Sequence, residues 1–191
     1  MKTIYLIRHG HYVNHENVEG GVLTSIGRRQ AQALREVLRG KEVHELYSSM
    51  LGRAMETAQI VQQAFPALKV EHLSYLNEIS PKFRGFRQEI QSYPPQKLGL
   101  LGKKTTPTRQ LTQIEERFFS PAQFPHTVLV FCHGNVIRSL YCRLHAIPYA
   151  RWDEFSVFHC SMSIFQVSEQ GVTTIAYNQV DHLPVGLRTE C

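Results

Sequence analysis

Two arginines and two histidines stand out because of where they fall. Arg8-His9-Gly10 follows directly on the apolar run Ile4-Tyr5-Leu6-Ile7. Arg53 lies in "SSMLGRAMET", just past the strand-like "ELYSS". His133-Gly134-Asn135 follows "TVLVFC", the clearest buried-strand pattern in the chain. A guanidinium binds a phosphoryl group bidentately in a fixed geometry that lysine does not offer. A phosphoryl group brings about −1.5 to −2 charges at pH 7. An imidazole, with an ordinary pKa near 6.5, can stay neutral and attack phosphorus. Its second ring nitrogen must then be held, most simply by a backbone carbonyl, and Gly10 leaves room for that approach. The residue types therefore describe a phosphate site.

For these groups to meet, the elements that carry them must end on one rim. Thr3 to Ile7 reads as a strand covered on both faces. Thr24 caps a helix to about Arg39, with Gly27, Ala31, Leu34 and Leu38 on one face. "ELYSS" is a second strand. Leu51, Ala54, Ala58, Val61 and Phe65 mark a second helix, stopped before Pro66. "LKVEHL" is a third strand. From about residue 80 to 125 the alternation breaks, with prolines 81, 94, 95, 107, 121 and 125 in a polar, basic stretch. This reads as an inserted lid within a single domain spanning 1–191, with "TRQLTQIEERFF" helical inside it. "TVLVFC" is then a strand, followed by a helix from about Asn135 to His145. "MSIFQV" and "VTTIAY" form a hairpin through Gly171.

Alternating strands and helices predict an α/β three-layer sandwich with a mostly parallel central sheet. In such sheets ligands sit beyond the carboxyl ends of the strands. That rule brings Arg8, His9, Arg53 and His133 to one place. It also aims two helix N-termini, with their free N–H groups, at it.

The composition is compatible with this reading. A chain of 191 residues, 42% hydrophobic and 19% charged, can bury a full core and is not disordered in character. The net charge of +5 comes from scattered residues rather than a basic stripe, and no nucleic-acid-binding motif accompanies it. Nucleic acid is therefore not expected as a partner. No apolar run reaches the ~20 residues of a membrane helix, and no leader pattern opens the chain. A soluble, cytoplasmic protein without membrane attachment is expected. Cys132, Cys142, Cys160 and Cys191 lack a CxxC spacing and read as buried thiols.

The stretches "LIRHG", "LTSIGRRQA", "LYSSMLGRAMETA", "LNE" and "VFCHGNVIR" resemble the histidine phosphatase superfamily, which has the phosphoglycerate mutase-like fold. They run in the family's order over nearly the whole chain. The likeness is strongest to the family's mitochondrial serine/threonine protein phosphatases, through "SSMLGRAMET", "CHGNVIRSLYCR" and "RHGHY". The resemblance implies that His9 is the phosphorylated nucleophile. It implies that Arg8, Arg53 and His133 bind the phosphoryl group and that Glu78, in "LNE", is the general acid. Gly134 and Asn135, at the helix start, complete the substrate-binding set. The long N-terminal region of those relatives, with its membrane anchor and multimerisation motif, has no counterpart here. Large assemblies are accordingly not expected, and a homodimer is the assembly retained.

Blander readings exist for each residue. Arg53 lies three residues before Glu56, an ordinary helix-surface pair. His133 alone would read as a core histidine, and Glu78 alone as a solvated charge. His11-x-x-x-His15 has the spacing of a helical metal pair but no HExxH context, so no metal is expected and no cofactor is implied. Arg84 and Arg87 in the insertion are candidates for recruiting an anionic substrate, or else solvated charges. The expected activity is hydrolysis of a phosphomonoester through phosphohistidine, with a phosphoserine/threonine protein as the favoured substrate. A small phosphate ester phosphatase, a mutase and a non-catalytic module that binds phospho-ligands are the alternatives.

Overall fold

A computed structural model describes residues 1–79 and 106–190. The strands are β1 (Lys2–Arg8), β2 (Tyr12–His15), β3 (Val18–Leu23), β4 (Glu45–Ser48), β5 (Val70–His72), β6 (His126–Cys132), β7 (Met162–Ser168) and β8 (Gly171–Gln179). The helices are α1 (Ser25–Leu38), α2 (Gly52–Gln62), α3 (Thr106–Phe118) and α4 (Gly134–Leu144).

Six strands form one sheet in the order β5-β4-β6-β1-β7-β8. β5, β4, β6 and β1 run parallel, while β7 is antiparallel to β1 and β8 to β7. The centre of the sheet is apolar on both faces. Ile4 and Leu6 of β1 and Val128 and Val130 of β6 face one side, with Leu111, Ile114 and Phe118 of α3 and Val136, Ile137 and Leu140 of α4. Ile7, Leu129 and Phe131 face the other, with Ala31, Leu34 and Leu38 of α1 and Ala58 and Val61 of α2. Two helical layers thus cover the sheet, as the continuous apolar strand patterns require. The fold is the expected three-layer α/β sandwich.

Thr24 caps α1 as read, its side chain accepting from the Gly27 N–H at 3.1 Å. β7 and β8 form the hairpin. Three features differ from the sequence reading. "LKVEHL" contributes only Val70–His72 as strand. α3 falls inside the stretch read as insertion, yet Leu111, Ile114 and Phe118 are 4%, 0% and 1% exposed, so it is a structural layer. Its apolar residues at helical spacing are what place it there. Residues 80–105 of that stretch lie outside the described residues, and with them most of the expected lid, including Arg84 and Arg87. Finally, β2 and β3 form an antiparallel hairpin that alternation of strand and helix did not suggest. His15 ends a strand and His11 precedes it, so the two do not share a helical face. Among the described residues no helix is long and apolar enough to cross a membrane.

Candidate active site

β1 and β6 are neighbours in parallel register, with Arg8 opposite Cys132. Their ends therefore deliver Arg8-His9 and His133 side by side. β4, on the other edge of β6, ends at Ser48 and leads through a short turn into α2, which carries Arg53 in its first turn. Arg8, His9, Arg53 and His133 are 6%, 1%, 6% and 0% exposed. The four converge, and the ring centres of His9 and His133 are 5.0 Å apart.

The hydrogen bonds determine the protonation of His9. Its Nδ1 lies 2.8 Å from the carbonyl of Gly10, which can only accept, so Nδ1 carries the proton. Arg53 Nε, which can only donate, lies 2.9 Å from His9 Nε2. Nε2 therefore holds the lone pair. Burial, then the charges of His133, Arg53 and Arg8, drive the imidazole pKa well below its ordinary value, so the ring is neutral at pH 7. The loop that makes this possible is packed hard onto α1. A Cβ on Gly10 would come within 2.7 Å of the Gly27 carbonyl, and one on Gly27 within 2.0 Å of the His11 carbonyl. Both glycines are required by that approach. The Gly10 N–H donates to Thr57 Oγ1 at 3.0 Å, tying the loop to α2.

Arg53 sits at the centre. Nε faces His9, Nη2 faces His133 Nδ1 at 3.1 Å, and Nη1 donates to the Gly20 carbonyl at 2.6 Å. The Tyr12 ring lies 4.5 Å from its guanidinium carbon. The β2–β3 hairpin thus contributes both a stacking ring and an acceptor. Glu56, the alternative partner for Arg53, pairs instead with Arg28 at 2.6 Å. His133 passes its Nε2–H to Ser49 Oγ at 2.7 Å, and Ser49 donates to Asn77 Oδ1 at 2.9 Å. Burial first, then Arg53 and Arg8, hold the His133 pKa well below the usual range. Arg8 donates through Nη1 to the Val157 carbonyl. A Cβ on Gly134 would touch the Arg8 guanidinium at 3.4 Å, so that glycine lets the charge lie against the start of α4.

Glu78 follows the short 3₁₀ turn after β5 and meets the N-terminus of α4. Its Oε1 accepts from the Asn135 and Ile79 N–H groups, each at 3.2 Å. Asn135 Nδ2 donates to the Ile79 carbonyl at 3.0 Å, so its side chain braces the loop that carries Glu78. Burial outweighs the arginines and helix N–H groups and raises the Glu78 pKa to about 7. A carboxyl near 7 is poised to give up and take back a proton.

Arg8, His9, Arg53, Glu78, His133, Gly134 and Asn135 are therefore present at one rim. Ser49, Thr57, Tyr12, Asn77 and His159 join them without having been singled out. His9, Glu78 and His133 bring their ligand atoms within 4.8 Å of one another, a donor set suited by type to a metal. Arg53 already donates to both imidazoles and places a fixed positive charge between them. That arrangement favours an anion over a cation.

The chain belongs to the histidine phosphatase superfamily (branch 1), whose family model matches residues 4–180. It is 28% identical to the Caenorhabditis elegans protein named serine/threonine-protein phosphatase Pgam5, mitochondrial, over 96% of this chain and 64% of that protein. It is 33% identical to the Drosophila virilis protein of the same name, over 92% of this chain and 62% of that protein. The chain thus spans somewhat less than two thirds of these relatives' length. Among solved structures it is similar to phosphoglycerate mutase from Plasmodium falciparum, with a TM-score of 0.62 at 26% identity over 96% of this chain and 94% of that one. It shares its fold with Bacillus stearothermophilus YhfR, with a TM-score of 0.70 at 21% identity over 95% and 99% of the two chains.

Proposed function

We propose that the protein is a phosphatase that hydrolyses phosphomonoesters through a phosphohistidine on His9. The observation that carries this reading is the neutral His9 with its lone pair on Nε2, facing the buried Arg53 guanidinium. Nε2 attacks phosphorus, and the bond from phosphorus to the leaving oxygen breaks. Arg8 and Arg53 hold the phosphoryl oxygens as negative charge spreads over them. His133, which accepts from Arg53 at Nδ1 in the resting site, takes a proton from solvent on that nitrogen as the phosphoryl dianion arrives and donates it to a phosphoryl oxygen. Gly134 and Asn135 offer backbone N–H groups at the start of α4. Glu78, protonated, gives its proton to the leaving oxygen. As a carboxylate it then draws a proton from the water that attacks the phosphoenzyme, which frees phosphate and restores His9.

The favoured substrate is a phosphoserine or phosphothreonine protein, on the strength of the relatives named as serine/threonine-protein phosphatases. Similarity to a phosphoglycerate mutase keeps a small phosphate ester as the second reading. Reaction without a metal belongs to the same proposal and predicts a rate unaffected by chelators. We retain a cytoplasmic location as a proposal beside relatives whose names carry "mitochondrial"; fractionation of cells expressing the tagged protein tests it.

The function is tested by comparing kcat/KM on phosphoserine peptides, on 3-phosphoglycerate and on an aryl phosphate. Phosphate release is expected from the peptides and the aryl ester, with the peptides preferred over 3-phosphoglycerate. Isomerisation of phosphoglycerate would replace phosphatase by mutase. Phosphate binding without turnover of any ester would leave a binding module.

A further inference from the structure

We propose that His159 is a positioning residue for the phosphoryl-binding arginine Arg8, and that Thr189 holds it in place. The inference rests on the site reading above and adds residues that no part of it uses.

β7 is antiparallel to β1, so its amino end, not its carboxyl end, reaches the active rim. The segment before it wraps the end of β1. The Cys160 N–H donates to the carbonyls of both Arg8 and His9, at 3.1 and 3.2 Å, and the Arg8 N–H donates to the Ser161 carbonyl at 3.2 Å. Val157, in the same segment, accepts from Arg8 Nη1. His159 therefore stands between two contacts that fix Arg8. Its side chain is 1% exposed, with its ring centre 5.6 Å from that of His9 and 5.3 Å from that of His11.

Thr189 sets the ring's tautomer. His159 Nδ1 lies 3.1 Å from the Thr189 carbonyl and 2.9 Å from its Oγ1. A carbonyl only accepts, so Nδ1 carries the proton and Nε2 is the acceptor. Burial, then the charges of Arg8 and His11, lower the ring's pKa to about 3, so the imidazole stays neutral. Thr189 is itself fastened. The fully buried Gln30 donates through Nε2 to the Leu187 carbonyl at 2.7 Å and to Thr189 Oγ1 at 2.8 Å. Its Oε1 accepts from the His11 N–H at 2.8 Å. One carboxamide thus links the loop after the nucleophile to the segment that orients His159.

The test measures vanadate binding by calorimetry, which needs no turnover, together with melting temperature and kcat and KM on an aryl phosphate. His159→Asn keeps an amide N–H for Thr189 and removes the ring that packs against His9 and His11. It should weaken vanadate binding about tenfold and raise KM, with the melting temperature little changed, because the 157–161 segment then holds Arg8 less firmly in place. Thr189→Val should weaken binding in the same direction by about threefold, since the carbonyl still accepts, and Thr189→Ser should behave as wild type. If His159→Asn does not fold, the Thr189 pair decides. Wild-type vanadate affinity in folded His159→Asn, or in both Thr189 variants, would overturn the assignment. A wild type that binds vanadate but hydrolyses no ester would overturn the phosphatase reading while leaving this one testable. A wild type that binds no vanadate would overturn both.

Discussion

The two ends of the central strands handle charge in opposite ways. At the amino ends of β4 and β6, His126 lies 3.2 Å from Glu45 and His44 lies 3.6 Å from Glu42. Arg117 and Glu71 pair nearby at 3.7 Å. These side chains are 29% to 85% exposed, and each positive or potentially positive group has an acid beside it. At the carboxyl ends of β1, β4 and β6, two arginines and two imidazoles are buried together, and they bond to one another and to carbonyls. The first end is an ordinary solvated surface, where each pair contributes little. The second concentrates unbalanced positive charge out of water, which costs stability in the absence of an anion. Unbalanced buried charge at the carboxyl rim is what an anionic ligand would relieve, whereas the paired, solvated amino rim has no such need.

Substitutions sharpen that contrast. His9→Ala should lower turnover on the order of 10⁴-fold or more on any phosphomonoester while the protein stays folded, measured by phosphate release and melting temperature. Glu78→Gln should slow hydrolysis of phosphoserine peptides by about 10²–10⁴-fold. An aryl phosphate, whose phenolate leaves with little help, should lose much less. Equal losses on both substrates would give Glu78 a purely structural or phosphate-positioning role. Arg53→Ala should cost about 10²–10³-fold in kcat, as expected for removal of a donor to the transition state, and should weaken vanadate inhibition.

The pH dependence follows from Glu78. In the proposed mechanism its protonated form is the acid, and with a pKa of about 7 that form is lost as pH rises. On phosphoserine peptides kcat/KM should therefore fall above about pH 7, approaching tenfold per unit, and Glu78→Gln should flatten that limb. The neutral His9 sets no such limit there, because its pKa is driven downward, away from this range. The smallest effect belongs to the other rim. Glu45→Ala or His126→Ala should change stability by no more than about 1 kcal/mol and leave kcat unchanged. A large loss of activity there would break the contrast.

Much of the positive rim was legible because parallel strands end on one side. Arg8-His9 and His133 each follow a continuous apolar run, so the carboxyl-end rule placed them together. Thr24, Gly27 and the apolar spacing of α1 were equally direct. The misses have physical reasons. His159 precedes β7, which runs antiparallel, so the rule points away from it although it reaches the same rim. The β2–β3 hairpin turns at Glu16-Asn17, has a largely exposed β2, and carries Gly20 and Gly21 within β3 at φ of 80° and 77°, so it lacks the apolar signal of a core strand. Its contribution, the Gly20 carbonyl and the Tyr12 ring on Arg53, was hidden with it. Asn17 was the available signal, since asparagine favours tight turns. Ser49 and Thr57 act through short polar contacts that no spacing announces.

In the proposed mechanism His9 carries the phosphoryl group during turnover. Acid-labile phosphohistidine is stable to alkali, whereas phosphoserine shows the opposite behaviour, so the two are separable. Wild-type enzyme mixed with labelled substrate, quenched and mapped by mass spectrometry under alkaline conditions, should carry phosphate on His9, and His9→Ala should carry none and turn nothing over. Phosphate on Ser49 or Ser48, or a His9→Ala variant that still hydrolyses the substrate, would contradict the account.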